Sequence, residues 1–346
     1  MKKREPVKNI ILFILLAISG LLLAGLLIFL CWEEDLEWGG SQRESQKIGT
    51  ESIGAQAENE KRDPEEKENR ETASLVFAGD LMTDRYIRTV TERRGFEYIL
   101  GEKVKDLLGG ADCAVANLEG PITDFESKSQ GTEAGSEANY YFTMPPETVE
   151  FLSEKNFCAV NIGNNHILNF GSKGLEQTKQ RLEEAGVGYF GEPNKNEKTL
   201  IKEINGVKIA LVSYNQFEFI DSGENIILSN IKKANKKANR VIVYSHWGEE
   251  YRKSADAEQK EMAGKFIDAG ADLVIGSHSH VIGEEATHKG RKIYYSLGNF
   301  VFDQYFSAET QEGLLIKAVF SKKNELFKID QFKVKMQSDG KTVLID

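Results

Sequence analysis

Cysteine is scarce in this chain of 346 residues: there are three, Cys31, Cys113 and Cys158. So few do not make a disulfide framework, which leaves hydrophobic packing to hold the fold. Cys113 and Cys158 fall inside apolar runs expected to be buried. Cys31 follows "IFL" rather than the small residues that precede a lipid-modified cysteine, and reads as an inert thiol. Positive charge is also short. With 44 Lys and Arg against 54 Asp and Glu, the formal net charge is −10. That balance excludes a nucleic-acid partner, because neutralising a phosphate backbone takes clustered Lys and Arg. No internal repeat is visible. The length and the 40% hydrophobic content suit one large domain or two modest ones, and composition alone does not choose.

Charge is missing altogether from Asn9 to Trp32, "NIILFILLAISGLLLAGLLIFLCW". At about 1.5 Å per helical residue this run crosses a hydrocarbon core of roughly 30 Å, so it reads as a transmembrane helix. Lys2, Lys3, Arg4 and Lys8 precede it, and Glu33, Glu34, Asp35 and Glu37 follow. The positive-inside rule leaves the N-terminus in the cytoplasm and the remainder outside. A cleaved secretory signal is the alternative, but its apolar core usually runs about 7–15 residues, and no Ala-x-Ala-like site follows here. Either reading exports the bulk of the chain.

The expected organisation is therefore a cytoplasmic basic segment (1–8), a single-pass signal anchor in the cell membrane (9–32), a disordered acidic linker (33–71) and a folded extracellular domain (72–346). The linker carries 13 acidic and 6 basic residues, no aromatic after Trp38 and no apolar periodicity. From Ser74 onward short apolar runs alternate with polar turns and helical stretches. The runs are "SLVFAGD", "DCAVANLEG", "CAVNIGNNH", "VKIALVSYN", "RVIVYSHWG", "DLVIGSHSH" and "KIYYSLGNF", each suited to a strand buried on both faces. Between them, Ser254 can cap a helix that carries Met262, Phe266 and Ala269 on one face and stops at Gly270. Leu175, Thr178, Leu182 and Ala185 make a similar stripe ending at Gly186. This alternation predicts an α/β domain with a largely covered sheet. "GLLIKAVF" and "LFKIDQFKVKM" add an antiparallel pair near the C-terminus.

In open α/β sheets ligands bind beyond the carboxyl ends of the strands. Those ends carry Asp80, Glu119, Asn165 with His166, His246, and His278 with His280. Singly, each has an ordinary explanation as a turn, a cap or a packed core histidine. Together they suit a pair of divalent ions, with a bridging carboxylate, neutral imidazoles and an amide oxygen as ligands. In an extended His278-Ser279-His280 segment both imidazoles point to one side and can reach adjacent ions. Of the five histidines only His288, in the turn "THKGRK", lies away from such a strand end.

The ordered series "FAGDLM", "NLEGPIT", "NIGNNHILNFG", "SHWGEEY", "GADLVIGSHSHVI" and "YYSLGNFVFDQ", from about residue 74 to 320, resembles the CapA family of poly-γ-glutamate capsule synthesis proteins. That family is related to the calcineurin-like metallophosphoesterases. The resemblance implies a four-layer αββα sandwich with one or two divalent ions (Mn, Fe or Zn) at one edge. It assigns Asp80, Glu119, Asn165, His246, His278 and His280 to the metal and His166 to stabilising the leaving group or transition state. Arg85 and Arg252 become candidate contacts for an anionic substrate, with exposed surface arginines as the alternative. The implied role is handling of poly-γ-glutamate, an anionic polymer, alongside other capsule-synthesis proteins at the membrane. A metal-dependent hydrolase or phosphoesterase and a non-catalytic scaffold are the alternatives. Three departures bear on the site: Asp80-Leu81-Met82 replaces Asp-x-His, Asn169 replaces an aspartate, and Gly283 stands where a glutamine often follows the His-x-His pair.

Overall fold

A computed structural model describes residues 72–218, 223–322 and 328–345. The proposed membrane helix at 9–32 and the linker at 33–71 lie outside the described residues. Among the described residues no helix is long and apolar enough to cross a membrane.

The described residues form two sheets and six α-helices. One sheet contains β1 (Thr72–Leu81), β2 (Cys113–Leu118), β3 (Phe157–Asn161) and β4 (Gly188–Phe190), which run parallel to one another. The other has β5 (Thr199–Ile204), β6 (Val207–Asn215), β7 (Arg240–His246), β8 (Leu273–Ser277), β9 (Glu285–His288) and β10 (Arg291–Tyr294), in the order β5-β6-β7-β8-β10-β9. The chain then returns to the first sheet. There β11 (Asn299–Val301) pairs with β1, and β12 (Glu312–Ser321), β13 (Lys328–Met336) and β14 (Thr342–Ile345) extend it antiparallel. The tail pair expected from sequence is thus present. The run "KIYYSLGNF" is not one strand, however. It divides between β10 and β11 in different sheets, with Gly298 at φ 69° in the crossing.

Strand alternation builds the layers. Val76 and Ala78 of β1 and Ala114 and Ala116 of β2 pack beneath the helices α1 (Arg85–Arg94), α2 (Glu102–Gly109), α3 (Thr148–Glu154) and α4 (Gly171–Glu184). Their neighbours Leu75, Phe77 and Val115 face the other sheet and meet Leu211, Ile242, Tyr244, Leu273 and Ile275. The opposite faces of β6, β7 and β8 offer Val212, Val243 and Val274 to α5 (Gly223–Asn235) and α6 (Ala257–Ala269). Apolar side chains filling each gap between helices, sheet, sheet and helices make the αββα sandwich. Leu175, Thr178 and Leu182 are buried on α4 as their spacing predicts. The cap of α6 is Asp256 rather than Ser254. Its side chain accepts from the Gln259 N–H while Gln259 returns the bond, a reciprocal capping box that Ser254 is too far from the helix to make.

Parity also explains which side chains reach the gap between the sheets. Asn117 and Glu119 continue the series of Cys113 and Val115, and His246 continues that of Ile242 and Tyr244, so all three turn inward. Simple alternation would send Asp80 outward with Val76 and Ala78. Instead the register slips by one residue, Phe77 pairing with Val115 and Asp80 with Asn117, and this bulge turns Asp80 inward. At the bulge, Gly79 lies so close to the backbone of Gly298 that a Cβ would sit 1.8 Å from the Gly298 oxygen.

The expectation that the cysteines contribute only packing is corrected. Cys113 and Cys158 form a disulfide between β2 and β3, with Cα atoms 5.4 Å apart. They stand on adjacent strands, so residues separated by 45 positions become neighbours, which the cysteine count could not reveal. Closing a loop of that length restricts the unfolded chain. The Cys113→Ala/Cys158→Ala variant is therefore expected to lose about 2–4 kcal/mol of stability in urea denaturation.

Candidate metal centre

The carboxyl ends of strands from both sheets bring most of the sequence-predicted residues together. Asp80 lies at the end of β1, Glu119 follows β2, Asn165 and His166 lie in the loop after β3, His246 ends β7, and His278 and His280 follow β8. His246 Nε2 is the centre of the cluster. It lies 2.8 Å from Asn165 Oδ1, 3.1 Å from His278 Nδ1 and 3.6 Å from Glu119 Oε1. Glu119, His246 and His278 are buried, and their ligand atoms all lie within 4.8 Å of one another.

Two observations show that this donor set fits a divalent cation. Glu119 Oε1 is buried and has no hydrogen-bond partner, whereas Oε2 accepts from Asn117 Nδ2. An unanswered carboxylate oxygen away from water is costly unless a cation or donor meets it. The spacing also suits an ion. Ligands at roughly 2.0–2.1 Å from a tetrahedral metal stand about 3.3 Å apart, a value inside the span of the three separations from His246 Nε2.

Neighbouring groups fix the lone pair that faces this point. Ser277 Oγ donates to Ser245 O at 3.0 Å, so at 3.1 Å it accepts from His246 Nδ1–H, leaving Nε2 unprotonated toward the cluster. Asn117, which was not singled out from sequence as a site residue, is the hub between the strands. Its Nδ2 donates to Asp80 Oδ1 at 2.9 Å and to Glu119 Oε2, and its Oδ1 accepts from Asn161 and Asn164. Asn164 in turn accepts from the backbone N–H groups of His166 and Ile167, which sets the turn carrying His166. The Asn117-x-Glu119 spacing, two residues on one strand face, was the available signal for Asn117.

The segment His278-Ser279-His280 is not extended. Both histidines have positive φ, 92° and 57°, so the backbone turns and the two rings diverge, with centroids 6.1 Å apart. His278 joins His246, whereas His280 Nδ1 faces Asp80 Oδ2 at 3.2 Å and Asn299 Oδ1 at 2.9 Å. His166 Nε2 is 3.9 Å from Glu119 Oε1, and its ring packs on Phe142 with centroids 4.4 Å apart. Asn169, at the position of the family's aspartate, lies 3.3 Å from His166 Nδ1.

The two arginines part company. Arg85 is 8% exposed, pairs with Asp303, donates to Asn139 at 3.0 Å and lies over the rings of Phe142 and Phe302. Those same rings pack against His166 and His280, so Arg85 backs the wall of the cluster. Arg252 is not drawn in: its side chain is 61% exposed and pairs with Glu249. Asp303, which neutralises Arg85, was not singled out from sequence and carries no local signal of that role.

The α/β architecture of two sheets and flanking helices is the kind that the sequence resemblance implied. The family model described as bacterial capsule synthesis protein PGA_cap matches residues 74–304, and the chain belongs to that family. Two curated relatives are 31% identical to it. They are the PGA biosynthesis protein CapA of Bacillus subtilis, over 70% of this chain and 67% of that protein, and the capsule biosynthesis protein CapA of Bacillus anthracis, over 73% and 65%. The chain thus spans about two thirds of the length of these relatives. Among solved structures, a hypothetical protein from Thermus thermophilus aligns with a TM-score of 0.48 at 18% identity, over 76% of this chain and 99% of that one.

Burial governs the charges of the cluster. It holds His166 down to about 3, His278 to about 4 and His246 well below the ordinary imidazole value of 6.5, with neighbouring imidazoles adding to the effect. The unfolded chain takes up these protons near pH 6.5 and the folded chain does not. The stability they contribute is therefore full above that pH and is lost as pH falls from 6.5 toward 3. Glu119 runs the other way. Burial and then the Asp80 charge raise it, so its contribution is present below 4.5 and is lost as pH rises through the folded value. In the presence of a chelator, the melting temperature is expected to fall between pH 7 and pH 5. A shallower fall is expected for His166→Asn, measured by circular dichroism.

Proposed function

We propose that this chain is a membrane-anchored extracellular protein of poly-γ-glutamate capsule synthesis, export or attachment, acting through a divalent-metal site. Membership of the capsule synthesis family supports the general role. The buried, unanswered Glu119 oxygen facing His246 and His278 is the observation that carries the metal site. The apolar, uncharged run at 9–32 with basic residues before it and acidic residues after it supports the anchor.

Glu119, Asn165, His246 and His278 would hold the cation, which is Mn, Fe or Zn on the mixed nitrogen and oxygen donors. The resemblance adds Asp80 and His280 and so allows one or two ions. A bound cation supplies Lewis-acid polarisation and activates water near neutral pH. His166, neutral at pH 7 and at the rim of the cluster, would meet charge developing on a substrate oxygen. Asn117 and Ser277 orient the carboxylates and the His246 ring. The acidic linker would repel an anionic polymer, which suits a spacer between membrane and domain. Arg85, already balanced by Asp303, supports the wall rather than a free anion site.

Deleting the gene in a polymer-forming host is expected to lower surface poly-γ-glutamate, with recovery on re-expressing the chain but not His246→Ala. Undiminished polymer after deletion would remove the capsule reading. Hydrolysis of a generic phosphodiester by the metal-loaded chain, falling about 10²–10⁴-fold in His166→Ala, would instead support the phosphoesterase chemistry. A folded chain that holds no stoichiometric metal would be a scaffold.

A further inference from the structure

We propose that Phe217, Tyr251 and Tyr140 form an aromatic collar at the mouth of the metal centre, which selects a ligand carrying one acidic group joined to an uncharged flat ring, a sugar or an aryl group. The acidic group goes to the cation and the ring lies on the collar. The inference rests on the metal-centre reading above and names the substrate class of that site. Of the nine exposed large hydrophobic side chains among the described residues, eight lie in segments that follow the carboxyl ends of β1, β2, β3, β6, β7 and β11, and the ninth, Ile201, is on β5. Scattered singly, exposed apolar residues need no explanation, but their gathering at one edge marks a contact surface.

Three of these side chains meet the cluster itself. Phe217, 48% exposed, packs on His278 with ring centroids 4.4 Å apart and on His246 at 5.9 Å. Its backbone N–H donates to Asn215 Oδ1 at 3.1 Å, which fixes the turn that presents the ring. Tyr251, 44% exposed, lies 6.3 Å from the His280 ring and meets Phe306 edge-on at 5.2 Å. Its backbone is left-handed at φ 65°, uncommon for so bulky a residue, and its N–H donates at 2.7 Å to the oxygen of Ser279, between the two histidines. Tyr140, 45% exposed, accepts at its backbone oxygen from Asn169 Nδ2, whose amide lies beside His166. Charge narrows the ligand further. Arg85 is neutralised by Asp303, Arg252 next to Tyr251 pairs with Glu249, and Lys128 lies over the ring of Tyr141. With these side chains engaged, a cation at Glu119 is what the mouth offers to a negative group, and the remainder of the ligand meets ring faces and tyrosine hydroxyls. A ring suits that surface because it buries one flat apolar face and leaves its edge wet.

The test uses the full-length chain in nanodiscs of zwitterionic lipid, stripped with chelator and loaded with Mn²⁺, with ligand binding followed by water-proton relaxation. Two pairs of ligands share an acid and differ in the ring: phenylphosphonate against methylphosphonate, and glucuronate against acetate. In at least one pair the ring-bearing member is expected to bind about tenfold more tightly, and which pair does so identifies the ring as aryl or sugar. That ratio should fall below about threefold in Phe217→Ser and in Tyr251→Asn, asparagine being a residue that tolerates the left-handed backbone. Each variant is checked for an intact melting transition. Equal affinities within both pairs, or a preference that survives in both variants, would overturn the inference while leaving the metal reading standing. No binding of Mn²⁺ by the folded chain would overturn both.

Discussion

Glu119 is held entirely out of water with one oxygen bonded to Asn117 and the other facing imidazoles without a donor. A buried carboxylate left in that state is expensive, and the cost is relieved by a proton or by a cation. Most of the surrounding order follows from this constraint. Ser277 takes the Nδ1 proton of His246, which turns the other ring nitrogen toward the carboxylate as a lone pair. His278 must approach His246 closely without charging, and burial keeps both rings neutral. Asn117 stands between Asp80 and Glu119, where a third acid would add repulsion.

The centre is a joint property of the two sheets. Neither sheet alone carries the donor set, since Glu119 and Asn165 come from one and His246 and His278 from the other. The gap between them must therefore be fixed just behind the ligands. Tyr244, wholly buried two residues before His246, donates its hydroxyl to the backbone oxygen of Ala78, two residues before Asp80. That bond ties β7 to β1 across the apolar layer. The family membership gives this arrangement a setting in capsule synthesis, while the chemistry within it rests on the residues themselves.

Much of this was legible in the sequence because strand periodicity and strand-end chemistry are local. The apolar runs located β1, β2, β3, β6, β7 and β8, and the polar residues closing those runs are the ones that converge. What escaped depended on distant partners. Short β4, β5, β9 and β14 draw their strand character from neighbours in the sheet rather than from long apolar runs. The disulfide needed the register of β2 against β3. The bend at His278 and His280 runs against the expectation for an extended segment, because both residues adopt positive φ. Arg85 has no neighbour in sequence that marks it as buried, and Asp303, which comes to meet it, stands 218 positions away.

The close approach of Gly79 to Gly298 has a counterpart at Gly276, where a Cβ would stand 2.0 Å from the Tyr295 oxygen. Neither Gly79 nor Gly276 has a left-handed backbone, so what forbids a side chain there is room alone. Each lies one or two positions before a cluster residue, Asp80 or His278. Tolerance to substitution should accordingly be lowest a step behind the chemistry. A library built on this cluster would do well to vary its nitrogen and oxygen donors and leave these two hydrogens untouched.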